Sequence, residues 1–225
     1  MSDELLVDVW SDIICPWCYI GKRRLEQAVQ RFAARESVRV TWHAFELDPT
    51  APRAYEPGST LASRLAEKYG KPLAVAREMM DHVTEVAAAD GLEFHFDRAK
   101  DGNTFDAHRL LALARATGRA GALGERFMRG YFSEGEAIGE TESLVRLAVE
   151  TGFSEHDVRA ALESEELARA VRKDQADARA LGIRGVPFFL VGQKYAASGA
   201  QPSDLLAQLL ERAWAEKSTN SRPMA

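Results

Sequence analysis

The chain has 225 residues, 46% of them hydrophobic, a net charge of −5 and two cysteines. That supplies a full core for one large domain, or for a domain carrying a substantial insertion. Charges of both signs are interspersed, no basic cluster occurs and no apolar run reaches membrane-spanning length, which argues against nucleic acid or a bilayer as partner. The start, Met1-Ser2-Asp3-Glu4, is acidic and lacks the basic residues and long apolar stretch of a secretory signal, so the expected location is the cytoplasm.

Leu5–Trp10 reads as a buried strand, too continuous for one wet face. Cys15-Pro16-Trp17-Cys18 follows and opens a helical pattern expected to run to about Ala34. Val38–Ala44 alternates with period two, so the first 47 or so residues form a β–α–β unit with parallel strands. Pro49, Pro52, Pro57 and Gly58 mark a loop. Helices are predicted over Leu61–Tyr69 and Leu73–Ala89, with Met79 and Met80, like Met128 further on, as core. Leu92–Phe96 is brief and suits an extended segment. Helices over Phe105–Thr117 (cap candidates Asn103 and Thr104), Ala120–Phe132 and Glu142–Glu150 (capped by Thr141) come next. Ser154 opens a capping box for another helix, and Ser164 caps a long one over Leu167–Leu181. Pro187–Val191 is a short apolar strand, and Gly192-Gln193 turns it back into Lys194–Ala197 as a hairpin. Pro202 starts a last helix, with a polar, frayed end from Lys217.

The two cysteines carry the chemistry. At i and i+3 on a first helical turn, both sulfurs share a face within bonding reach. Cys15, at the helix N-cap, faces free N–H groups and the positive dipole end, which stabilise a thiolate. It is the expected nucleophile, the more exposed and more acidic thiol, with Cys18 resolving the mixed disulfide. Pro16 suits the first helical position, where its missing N–H costs nothing. A structural bridge across four residues would close almost no loop. Zinc would need two further ligands, and His43, His82, His95, His108 and His156 are scattered. No metal and no organic cofactor is expected.

The pattern resembles the DsbA family, and within it the FrnE-like cytoplasmic branch. The resemblance rests on Asp8-Val9-Trp10-Ser11-Asp12 with Cys15-Pro16-Trp17-Cys18-Tyr19-Ile20-Gly21, on Phe45–Pro49, on Asn103-Thr104 through Ala107-His108, on Gly185-Val186-Pro187-Phe188-Phe189 and on Ser198–Pro202. It implies an α/β, thioredoxin-like fold with a large all-helical insertion. The thioredoxin-like domain would comprise 1–48 and 165–217, the insertion 49–164, and a flexible tail 218–225. It implies a cis Val186–Pro187 bond beside Cys15, with the Val186 backbone free to pair with an extended peptide or glutathione. Pro16, Trp17, Val186, Pro187 and Phe188 would then contact substrate.

Asp12 is a candidate proton relay for Cys18, set against a loop-capping role, with Glu46 as a rival. Trp10, Trp17 and Phe188 are candidates for an apolar collar around the thiols, and Asn103 and His108 read as capping and packing residues. Pro16-Trp17 replaces the His-containing pair of the strongly oxidising members, so a weaker oxidant is expected. The function expected is dithiol–disulfide exchange on protein or small-molecule thiols, with glutathione open as a co-substrate, an unknown redox partner and a homodimer open. Two other readings stay in view. One is a glutathione-dependent isomerase or transferase of the kappa-class and 2-hydroxychromene-2-carboxylate isomerase type. The other is a non-catalytic binding or chaperone module.

Overall fold

The structure, a computed structural model, describes residues 4–53, 58 and 60–220. Strand β1 (Leu5–Ser11), helix α1 (Pro16–Arg31) and strand β2 (Val38–Ala44) form the expected crossover unit. The two strands run parallel, from Leu5 opposite Val38 to Ser11 opposite Ala44. Far along the chain, β3 (Phe188–Val191) and β4 (Tyr195–Ser198) make the antiparallel hairpin. The sheet order is β2-β1-β3-β4, so β1 is interior and both its edges are paired.

Strand parity assigns the two faces of this sheet. Leu5, Val7 and Val9 pack against Leu25, Ala28 and Phe32 of α1 and against Leu206 and Leu210 of the last helix. Trp10 points the other way and packs with Ala178 and Ile183. Covering both faces explains why β1 reads as an unbroken apolar run rather than an alternation.

Between β2 and β3 the chain is helical: α2 (Leu61–Tyr69), α3 (Leu73–Ala89), α4 (Phe105–Arg115), α5 (Ala120–Arg129), α6 (Thr141–Glu150), α7 (Glu155–Glu163) and α8 (Glu165–Ala180). An α/β sheet with this helical content is the expected fold class. The largest apolar cluster joins Ile13, Cys15, Cys18, Tyr19 and Ile20 to Leu110, Phe127, Met128, Phe132 and Leu144. The dithiol turn is therefore packed directly against the helical segment. Among the described residues no helix is long and apolar enough to cross a membrane.

Several boundaries differ from expectation, each for a local reason. Leu92–Phe96 is not a strand; Phe94 turns inward and stacks on Phe132 with ring centroids 4.5 Å apart. The helix through Ala120 changes at Gly130 into one π turn, Gly130–Glu134. Thr141 does not cap α6; it is the first helical residue and Glu140 precedes it as N-cap. Asn103, not Thr104, accepts the first free N–H of α4, from Phe105 at 2.9 Å. Met79 is 41% exposed, because α3 buries only its small residues Ala76 and Ala87. The last helix, α9, runs over Ser203–Asn220, so 218–220 belong to it rather than to a tail. Pro57 and residues 221–225 lie outside the described residues. Ser154 and Ser164 do cap their helices, accepting the N–H groups of Asp157 and Leu167 at 3.1 and 3.2 Å.

Candidate active site

Cys15 is the N-cap of α1, with an extended backbone (φ −86°, ψ 112°), and Pro16 occupies the first helical position. The Cys15 carbonyl accepts the N–H groups of Cys18 and Tyr19 at 3.0 and 3.3 Å, closing the first turn. Both cysteines are free thiols. Cys15, expected to be open, is only 4% exposed, and Cys18 is 1% exposed. Ile14, Trp17 and Val186 pack on the same cluster and cover the turn. The Cys15 thiol makes no bond to the helix N–H groups. It donates instead to the Val186 carbonyl at 3.6 Å, a contact that only the protonated form can make.

Val186 belongs to the loop before β3, and the Val186–Pro187 bond is cis. Gly21 lets that loop approach. A Cβ on Gly21 would lie 2.8 Å from Pro187 Cγ and 3.1 Å from the Phe189 ring. A glycine inside a helix weakens it, so its place here follows from the close packing. Gly199 N–H holds the loop from the other side through the Pro187 carbonyl, at 2.8 Å.

Asp12 lies under the thiols and is fully buried. Its N–H donates to Cys18 Sγ at 3.5 Å and its carbonyl accepts Cys15 N–H at 3.3 Å. Its carboxylate oxygens have partners of their own. Oδ2 accepts Leu47 N–H at 2.7 Å, and Oδ1 lies 3.3 Å from His108 Nε2 on α4. Burial pushes the Cys18 thiol well above its ordinary pKa, and the neighbouring Cys15 adds to that rise. The Ser11 hydroxyl and the Asp12 N–H act in the opposite direction.

The other candidates separate by face. Glu46 is buried, but its Oε2 accepts from Arg172 at 2.8 Å and Gln175 at 2.6 Å, both on α8. Trp10 and Phe188 sit edge to face, centroids 6.1 Å apart, on the sheet face away from α1. The collar of Trp10, Trp17 and Phe188 therefore does not form, because strand parity sends Trp10 and Phe188 to the far side and only Trp17 packs with the thiols. The Val186 carbonyl meets the Cys15 thiol, Trp17 packs on the cluster that holds both thiols, Pro16 directly follows Cys15 on α1, and Pro187 packs against Gly21 of the same helix. No cluster of three or more metal-binding side chains occurs among the described residues.

Two residues join the site that the sequence pattern alone does not assign to it. His108 reads as a packing residue in sequence, although a histidine on the stripe of α4 that also carries Leu111 has to find a polar partner. Ser11 carried a readable signal, since a hydroxyl ends the apolar face of β1 just where the cysteine turn begins.

Residues 6–211 match the family of DSBA-like thioredoxin domains. A probable DsbA oxidoreductase of Streptomyces coelicolor superposes with a TM-score of 0.88 at 39% identity, over 99% of this chain and 93% of that one. An uncharacterised protein of Bacillus subtilis, YwbO, is 26% identical over 201 residues, 83% of this chain and 86% of its own. The cytosolic disulfide reductase DsbM of Pseudomonas aeruginosa, solved with glutathione, shares the fold at 19% identity and a TM-score of 0.61, over 97% of this chain and all of the other. With the family match spanning nearly its whole length, the chain belongs to the DSBA-like thioredoxin domains.

Proposed function

We propose that this protein is a cytoplasmic dithiol–disulfide oxidoreductase, with Cys15 as nucleophile and Cys18 as resolving thiol. The observation that carries the reading is the reduced pair on one helical turn, its first sulfur against the Val186 carbonyl and its second buried on the Asp12 backbone. A substrate strand laid along the Val186–Pro187 loop, over Pro16 and Trp17, brings its disulfide to Cys15. Ionised Cys15 attacks one substrate sulfur; that S–S bond breaks and the other sulfur leaves with the electron pair. Cys18 gives up its proton and attacks Cys15. The second substrate sulfur leaves with its electron pair and takes a proton, and the enzyme is left oxidised.

Asp12 serves as the shelf for this step, and its carboxylate, coupled to His108, relays the Cys18 proton. Trp17 adds no charge beside the sulfurs, so the pair is a weak oxidant that works as a reductase, with glutathione as the regenerating co-substrate. Its potential in a glutathione series is expected nearer roughly −270 mV than −120 mV.

Insulin reduction with single-cysteine variants tests the reading. Cys15→Ser should fall to background. Cys18→Ser should lose turnover and accumulate a glutathione adduct on Cys15, visible by mass. Undiminished reduction by both variants would overturn the proposal. Full activity in Cys18→Ser alone would point instead to single-thiol, glutathione-dependent chemistry.

A further inference from the structure

We propose that the Ser11 hydroxyl is a dedicated hydrogen-bond donor to the ionised Cys18 sulfur, a catalytic role that rests on reading Cys18 as the resolving thiol. The placement follows from strand parity. Leu5, Val7 and Val9 fill the face of β1 that looks at α1, and Ser11 is the next residue on that face. It therefore lies beneath the first turn of α1, beside Asp12, whose N–H already reaches Cys18.

Ser11 is 6% exposed, and its Oγ has no hydrogen-bond partner of full geometry. A buried hydroxyl left unpaired is a standing cost to the folded state that an alanine would not carry. The state in which it gains a partner is the thiolate. A protonated thiol is a weak acceptor, whereas a thiolate is a strong one. The hydroxyl works against burial in setting the Cys18 titration, together with the Asp12 N–H. Two donors then flank the sulfur when its charge appears, one fixed in the backbone and one waiting on a side chain.

The role belongs to the step between the mixed disulfide and release. The Cys18 proton leaves, and the thiolate is held by Ser11 Oγ–H and Asp12 N–H. Its electron pair then forms the Cys15–Cys18 bond as the Cys15–substrate bond breaks, and the departing substrate sulfur accepts a proton. The substrate disulfide supplies the oxidising equivalent. A more acidic thiol is present more often as thiolate but attacks less well, with a Brønsted slope of about 0.4–0.5. A tenfold gain in thiolate fraction thus becomes only about a threefold gain in rate at neutral pH.

Because the chain has only two cysteines, Cys15→Ala leaves Cys18 as the sole thiol. Its titration can be followed by ultraviolet thiolate absorbance and by the pH dependence of alkylation. In Cys15→Ala/Ser11→Ala the Cys18 pKa should rise by about one unit, and Cys15→Ala/Ser11→Thr, which keeps a hydroxyl, should restore it. With both cysteines present, Ser11→Ala should resolve a glutathione adduct about threefold more slowly at neutral pH, with no fall in melting midpoint. An unchanged Cys18 titration in the alanine variant overturns the proposal. So does an equal shift in the alanine and threonine variants, or a lowered melting midpoint for Ser11→Ala, which would mark the hydroxyl as structural. The titration needs no turnover, so an inactive protein with a Ser11-dependent Cys18 pKa would sink the oxidoreductase reading and leave the Ser11 contact standing.

Discussion

Both carboxylate oxygens of Asp12 are engaged, one by Leu47 N–H in the loop after β2 and one by His108 on α4. The same residue's peptide bonds reach both cysteines. Removing the carboxylate strands a part-buried N–H and a buried imidazole together, and each buried unpaired group costs about 1–3 kcal/mol. Asp12→Ala should therefore lower the urea unfolding free energy by about 2–4 kcal/mol. Asp12→Asn can still accept from Leu47, so it should lose less than half as much while slowing resolution of the Cys15 adduct. Equal losses in the two variants would show that the Leu47 bond contributes nothing. Asp12 was legible as a candidate from its position three residues before Cys15. Its partner was not, because 96 residues separate Asp12 from His108 and only the packing of α4 against the dithiol turn closes that distance.

Helix α1 illustrates how local rules and tertiary contact divide the work. Its start was readable from Cys15 and Pro16, and the caps at Ser154 and Ser164 were readable from spacing alone, because those bonds close within three residues. Strands β1 and β2 were readable by their periodicity. The signals that failed were those decided by distant partners: Phe94 drawn into an aromatic stack, Met79 left outside, and Cys15 covered by Val186 from the far end of the chain. Gly21 sits on this divide. Alanine would favour the helix by up to about 1 kcal/mol, yet its Cβ would fall 2.8 Å from Pro187 in a crowded contact. Overpacking of this kind costs about 1–3 kcal/mol. Gly21→Ala is thus expected to lower the melting midpoint despite the better helix former, and to slow insulin reduction by displacing the Val186–Pro187 loop from Cys15. A raised midpoint with unchanged activity would show that the loop gives way freely.

Across the whole molecule, the sheet and the helical segment are joined through His43. Its Nδ1 lies 2.9 Å from Asp174 on α8 and its Nε2 lies 2.8 Å from Asp8 on β1, while the Trp10 ring stacks on it at 4.6 Å. Arg115 of α4 and the Ala44 N–H complete the shell of Asp174, at 2.6 and 3.0 Å. Burial opposes a charged imidazole, but the two carboxylates outweigh it and raise the His43 pKa above 6.5, with Arg115 acting against them. Burial likewise opposes the charged form of Asp174, but its bonds to His43, Arg115 and Ala44 hold that carboxyl down at about 2, from 3.8. The signs follow from linkage. The His43 contribution is complete below its unfolded pKa and is lost as pH rises through the raised folded value. The Asp174 contribution is complete above 3.8 and is lost as pH falls toward 2. The α4 helix carries both Arg115 and His108, so loosening the His43 node also loosens the support of Asp12 beneath Cys18. The urea midpoint should decline as pH is raised above 6.5. His43→Gln, which keeps a polar side chain but does not titrate, should flatten that decline and start from a lower value at pH 6. Trp10 emission should follow the same transition in the folded parent protein, since the ring lies against the titrating imidazole. Parallel pH slopes in the parent and in His43→Gln would show that the node does not sense pH, and would leave it a fixed strut between sheet and helices.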